Sequence, residues 1–145
     1  MLKEPSHRNE TDMSRTLTAT TPTQVGRWGE DIALTILRCN SYALLERNWR
    51  PHTEPGSEPI RGEIDLVMID PEMNLVFVEV KTRSSELFGH PLEAISRDKS
   101  RKLRALAYAW SRSHDTQDYR SMRIDAVSIC GNSQHFTFEH LTGVA

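Results

Sequence analysis

The sequence predicts an α/β fold, a mixed β-sheet flanked by helices. Two observations carry that prediction and a third refines it. Residues Arg61 to Arg83, RGEIDLVMIDPEMNLVFVEVKTR, hold two runs dense in Ile, Val, Leu and Phe around a polar break, Asp70-Pro71-Glu72-Met73-Asn74. This pattern reads as an antiparallel hairpin with a longer loop. Two further segments, beginning near Thr21 and Ser96, repeat apolar residues at helical spacing. The second lies between strand patterns, and a strand–helix–strand connection gives a locally parallel pair with a right-handed crossover.

In chain order, residues 1–20 are polar and cannot bury enough surface to offset the entropy of ordering, so a flexible tail is expected. Residues 21–145 are expected to form one domain. Thr21, Pro22 and Gln24 make a capping-box start for the first helix. Its apolar stripe is Val25, Trp28, Ile32 and Ile36, widened by Ala33 and Leu37. Tyr42 to Trp49 reads as a first strand. Pro51 to Ile60, with three prolines and a glycine, is a loop that either covers a neighbouring site or is a plain surface insertion. Gly62 marks an unusual backbone or a close approach.

After the hairpin, Ser84 to Ile95 carries a turn at Gly89 and Pro91, with a lone histidine, His90, that is assigned no role. The second helix spans Ser96 to Ser111, with Leu103, Leu106, Ala107 and Trp110 as its stripe. Met122 to Ile129 is a strand. Asp125 within it is expected to pair with Arg123, Arg50 or a backbone amide, ahead of its alternative as a further metal ligand. Gln134 to Leu141 alternates like an edge strand.

The chemistry concentrates in the hairpin. Side chains alternate faces along a strand, so Glu63, Asp65, Val67 and Ile69 share one face of the first strand and Leu75, Phe77, Glu79 and Lys81 share one face of the second. If Ile69 pairs with Leu75, then Val67 faces Phe77, Asp65 faces Glu79, and Glu63 faces Lys81. Two opposed carboxylates repel unless compensated. Lys81 compensates one, and a divalent cation with a preference for hard oxygen ligands, such as Mg²⁺, would compensate both. Solvated charges on an outward face would explain the same alternation. However, Ile64, Leu66 and Met68 and Val76, Val78 and Val80 make the opposite faces apolar as well. Charges inside a doubly buried sheet need a reason, and a functional site supplies one.

Asp65 followed by Glu79-Val80-Lys81 resembles the PD-(D/E)xK signature of restriction-endonuclease-like nucleases. Glu-x-Lys alone is a weak motif. The wider set comprises Gly29-Glu30, Asn48-Trp49-Arg50, Gly62-Glu63-Ile64-Asp65-Leu66, Phe77 to Arg83 and Arg123-Ile124-Asp125, in that order. Together they resemble the YraN family of small bacterial proteins, which are similar to Holliday-junction resolvases. The resemblance spans Val25 to Ile129. The loop at Pro51 to Ile60 is longer than the family leads one to expect.

The resemblance implies a restriction-endonuclease-like core and hydrolysis of phosphodiester bonds in DNA, branched or otherwise structured, with Mg²⁺ or Mn²⁺. It assigns Asp65, Glu79 and the Val80 carbonyl to the metal and gives Lys81 the task of orienting or activating water. Glu63 would orient Lys81. From spacing alone Glu30 is a charge near a helix start; the resemblance makes it an auxiliary ligand of metal or water. Resolvase-like enzymes act as dimers, which leaves a homodimer open. Arg97, Lys99, Arg101, Lys102 and Arg104 form the strongest basic cluster, read either as a solvated face or as a grip on phosphates by Lys99, Arg101, Lys102 and Arg104; Lys99 continues the stripe back from Leu103 and is expected to point toward the sheet. A rival function is a non-catalytic nucleic-acid-binding or adaptor protein on the same scaffold.

The formal charge of −2 argues against binding nucleic acid by bulk charge but allows a local basic patch. Cys39 and Cys130 stand far apart, so a cysteine zinc site is not expected. No stretch has signal-peptide character or the length to span a bilayer. A reduced cytoplasmic protein, not bound to membrane, is the expectation.

Overall fold

A computed structural model describes residues 21–84 and 95–145. The proposed tail at 1–20 and the turn containing Gly89, His90 and Pro91 lie outside the described residues. The chain runs through helix α1 (Pro22–Cys39), strands β1 (Ala43–Trp49), β2 (Ile64–Ile69) and β3 (Leu75–Arg83), helix α2 (Arg97–Ser113), and strands β4 (Met122–Gly131) and β5 (Phe136–Leu141). The five strands form one sheet in the order β1-β2-β3-β4-β5. Only β3 and β4, which α2 connects, are parallel; the other pairs are antiparallel. Among the described residues the fold is therefore the expected mixed sheet, flanked by two helices. No described helix is long and apolar enough to cross a membrane.

Local chemistry sets the helix starts. The Thr21 hydroxyl accepts the Gln24 amide at 3.2 Å, and the Gln24 side chain accepts the Thr21 amide at 2.9 Å. This reciprocal pair satisfies two of the orphan donors at a helix N-terminus. Ser96 caps α2 by accepting the Lys99 amide. At the hairpin, Asp70 accepts the amides of Glu72 and Asn74, and Met73 takes a positive φ of 67°. The buried Asp70 carboxylate thus ties the turn together.

Two apolar layers sandwich the sheet. Ala33, Leu34 and Leu37 of α1 pack on Leu66, Met68, Val76, Val78, Val127 and Ile129. On the other face Leu103, Leu106, Ala107 and Trp110 of α2 pack on Ile64, Val67, Leu75, Phe77 and Ile124. The central strands are buried on both faces, as their composition predicts.

The buried face of α1 differs from its expected stripe. It is centred on Gly29, Ala33 and Leu37, while Trp28 and Ile32 are only partly buried. The cause is Gly29, which lies against Thr82 of β3. A Cβ at Gly29 would sit 1.8 Å from Thr82 Oγ1 and 2.8 Å from Thr82 Cβ. Because Thr82 Cβ cannot rotate away, Gly29→Ala must lift the helix. The expected result is a stability loss of about 1–3 kcal/mol in denaturant unfolding. Helix propensity alone favours Ala by about 1 kcal/mol, so a stabilised variant would contradict this close packing. Thr82→Ala in the same chain should recover part of the loss.

Candidate functional site

The β2–β3 ladder pairs Ile69 with Leu75, Met68 with Val76, Val67 with Phe77 and Leu66 with Val78. The expected register holds that far and the ladder then stops. Beyond it, the Val80 amide donates to Asp65 Oδ2 at 2.7 Å. A side-chain carboxylate takes over from the main-chain ladder, and at this end the strands part.

The neighbouring edge strand changes at the same level. Asn48, between the paired residues Arg47 and Trp49, has a φ of +55°, a conformation that Asn tolerates better than most residues. Arg47 bonds to Asp31 and Glu30 of α1, whereas Trp49 joins the apolar layer under α2. Their partners follow: Leu66 faces α1 and Ile64 lies on the α2 side. The left-handed residue reverses the alternation of faces. Side chains from both layers can therefore approach the parted strand ends.

Three carboxylates gather there. One oxygen from each of Glu30, Glu63 and Asp65 lies within 4.8 Å of the others, and all three residues are half-buried. Arg47 Nη2 at 3.4 Å and Asn48 Nδ2 at 3.2 Å hold Glu30 Oε2 in place from β1. Glu63 is tied to Arg50 Nε at 2.9 Å. Glu79 is almost fully buried, and its Oε1 is met by Lys99 Nζ at 2.9 Å and Lys81 Nζ at 3.4 Å. Lys99 thus reaches from α2 while Glu30 reaches from α1.

Electrostatics record the crowding. Burial and the negative charge of Glu79 push the Asp65 carboxyl up to about 8, against the Val80 hydrogen bond. Burial also raises Glu30, an effect that Arg47 opposes and that Glu63 and Asp31 reinforce. Lys99 is held in its charged form despite its burial, by the hydrogen bond and charge of Glu79.

The expected residues Glu30, Asp65, Glu79, Lys81 and Lys99 meet at one end of the sheet. Their pairing differs from the sequence reading in two respects. Glu63 does not pair with Lys81, because the ladder ends before that level and Arg50 takes its carboxylate. Glu79 lies outside the three-acid group, its oxygen engaged by two ammonium groups. Arg101, Lys102 and Arg104 are exposed on α2. Sequence reasoning missed Arg47 and gave Asn48 no role; an Asn ending an edge strand was the available signal. Asp125 pairs with Arg123 and the Gly143 amide, as two of its expected options, and with His140 besides.

The three acids suit a hard divalent cation. Ligands on one octahedral Mg²⁺ lie about 3.0 Å apart when cis and about 4.2 Å apart when trans, at bonds of about 2.1 Å, so the three oxygens would draw together on binding an ion. Main-chain oxygen from Val80 belongs to the same stretch of β3 as Glu79.

The model of a family described as "Uncharacterised protein family UPF0102" matches residues 29–129. A UPF0102 protein of Beutenbergia cavernae is 44% identical over 121 residues, covering 83% of this chain and 94% of that protein. One from Clavibacter michiganensis subsp. michiganensis is 45% identical over 106 residues, 72% of this chain and 80% of its own. One from Renibacterium salmoninarum is 38% identical over 125 residues, 86% of this chain and 98% of its own.

Proposed function

The chain belongs to the uncharacterised protein family UPF0102, and we propose that it is a metal-dependent nuclease hydrolysing phosphodiester bonds in DNA. The observation that carries this reading is the convergence of Glu30, Glu63 and Asp65 with the lysine-bound Glu79 where β2 and β3 part. Asp65 and Glu79, with the Val80 carbonyl, would hold Mg²⁺ or Mn²⁺; Glu30 and Glu63 are placed to assist. Such an ion polarises the scissile phosphate and lowers the pKa of a water bound to it.

The remaining roles fall to the chain's own side chains. Lys81 orients the attacking water and offsets charge developing on the phosphate. Lys99 holds the Glu79 carboxylate by a charge-assisted hydrogen bond, which fixes its direction. Arg47 and Asn48 do the same for Glu30. Bonds from Arg101, Lys102 and Arg104 to phosphates position a strand without reading its sequence. Structured DNA, such as a junction or flap, therefore fits better than a base-specific site.

A second reading, a non-catalytic nucleic-acid-binding protein, draws support from the engagement of Glu79 by two ammonium groups. Calorimetric titration with Mn²⁺ and cleavage assays on branched, flapped and single-stranded DNA separate the two. A nuclease binds the ion and cuts at least one substrate. A protein that binds no ion and cuts none of them is the scaffold of the second reading.

Replacing Lys99, Arg101, Lys102 and Arg104 with Ala should weaken DNA binding and flatten its salt dependence. Every phosphate that a missing cation leaves ungripped lowers the log–log salt slope by about 0.9 on duplex DNA. An unchanged slope would make this a solvated face.

A further inference from the structure

Beside the acidic site, the loop of residues 51–60 and helix α2 enclose a cleft of about 460 Å³, within the range of about 300–1,000 Å³ typical of ligand pockets. Trp49, Ile60 and Tyr108 supply its apolar walls, and Glu54, Glu58 and Arg112 are its charged lining. Tyr108 is 63% exposed and Ile60 44% exposed. The Arg112 guanidinium lies 5.7 Å from the Tyr108 ring centre, a cation–π arrangement that keeps the ring at the mouth of the cleft.

The cleft is linked to the site in two ways. A second hollow on the same loop shares Pro51, Thr53 and Ile60 with it and runs on through Arg50 and Arg61 to Glu63 of the acid cluster. Gly62, with φ +127°, brings this segment onto α2, where a Cβ would stand 3.1 Å from Leu106 Cδ1. In addition, Arg97, Arg101, Arg104, Tyr108 and Arg112 recur every three or four residues along α2, so they form one stripe; all five are exposed, and Arg112 lines the cleft. Tyr108 stands about 14 Å from Lys99 by helical rise, about four nucleotides at the rise of a stacked strand.

A basic stripe interrupted by an exposed aromatic ring matches the two parts of an unpaired nucleotide, its phosphate and its base. The two glutamates in the cleft repel phosphate, so the arginines outside take the backbone and the base enters the cleft. We propose that the cleft is a nucleobase subsite, in which an unpaired base about four nucleotides from the cleaved linkage stacks on Tyr108. The inference rests on the nucleic-acid reading of the acidic site and narrows it to substrates with an unpaired strand.

The test compares two short oligonucleotides of equal length and charge, one of thymidine nucleotides and one of abasic deoxyribose phosphates. Binding to the full chain is followed by fluorescence anisotropy in chelator. The intact protein should favour the base-bearing strand by about 5- to 150-fold, the range of base–aromatic stacking. Tyr108→Ala should bind both strands alike, while Tyr108→Phe keeps the preference. Tyr108 is exposed, so its truncation leaves the core intact, which a melting curve would verify. Equal binding of both strands by the intact protein, or a preference that survives Tyr108→Ala, overturns the subsite. A protein that prefers the base-bearing strand yet cuts no DNA with Mg²⁺ upholds the subsite and refutes the nuclease. No binding to either strand refutes the subsite together with the nucleic-acid reading.

Discussion

Glu79→Ala is expected to lose both affinity for a divalent ion and cleavage, whereas Lys81→Ala should keep the ion and lose turnover. The two residues lie on the same stretch of β3, and the difference comes from their chemistry. A carboxylate is an oxygen ligand for a hard cation. An ammonium group carries donors only and is repelled by a cation, but it stabilises a phosphate whose charge is growing. Loss of an electrostatic or proton-transferring group typically costs about 10²- to 10⁴-fold in rate. Mn²⁺ titration of each variant, with cleavage assays beside it, reads the two effects separately. Equal cleavage by Glu79→Ala and the intact chain would mean that the active site lies elsewhere on the fold.

Arg123→Ala should cost about 3–5 kcal/mol of stability near neutral pH, the scale for breaking a buried ion pair. The Arg123 guanidinium bonds to Asp70 at 2.6 Å, to Asp125 at 2.9 Å and to the Tyr42 hydroxyl at 3.0 Å. The Asp125 side chain is wholly buried and Asp70 nearly so. Truncation leaves two buried carboxylates without their guanidinium partner.

The loss should depend on pH, with a definite sign. Burial would raise Asp70, but hydrogen bonds from Arg123, Asn74 and Glu72 outweigh it and hold the carboxyl at about 2, below its ordinary 3.8. The unfolded chain therefore takes up this proton first as pH falls. Asp70 contributes about 2 kcal/mol above pH 4, and this fades as pH drops through 2. Asp125 acts in the same sense, since bonds from His140, Arg123 and Gly143 overcome its burial. Without Arg123 both groups protonate more readily, so the deficit of the variant should shrink on acidification. Urea unfolding of both proteins across this range tests it, and a deficit that stays constant would exclude the ionic explanation.

Features that depend on near neighbours were legible in the amino-acid sequence alone. The Thr21–Gln24 capping box is closed by residues three apart, so its location needed no tertiary information. The hairpin and its register as far as Val67–Phe77 followed from alternation and from the apolar pairs beside the turn. The order of elements followed from periodicity, and the parallel β3–β4 pair from the helix between its strands. The meeting of Asp65, Glu79 and Lys81 at one strand end was legible for the same reason. Packing between distant parts of the chain settled the rest. Gly29 turned α1 onto a different face because only a residue without Cβ fits against Thr82. Glu63 went to Arg50, and Glu30 to Arg47 and Asn48, because a left-handed residue in β1 coincides with the end of the β2–β3 ladder. Lys99, four residues before Leu103, points toward the sheet by spacing alone, but its pairing with Glu79 depended on α2 packing over that end of β3. In each case a side chain chose its partner by packing across the sheet, which spacing along one element does not encode.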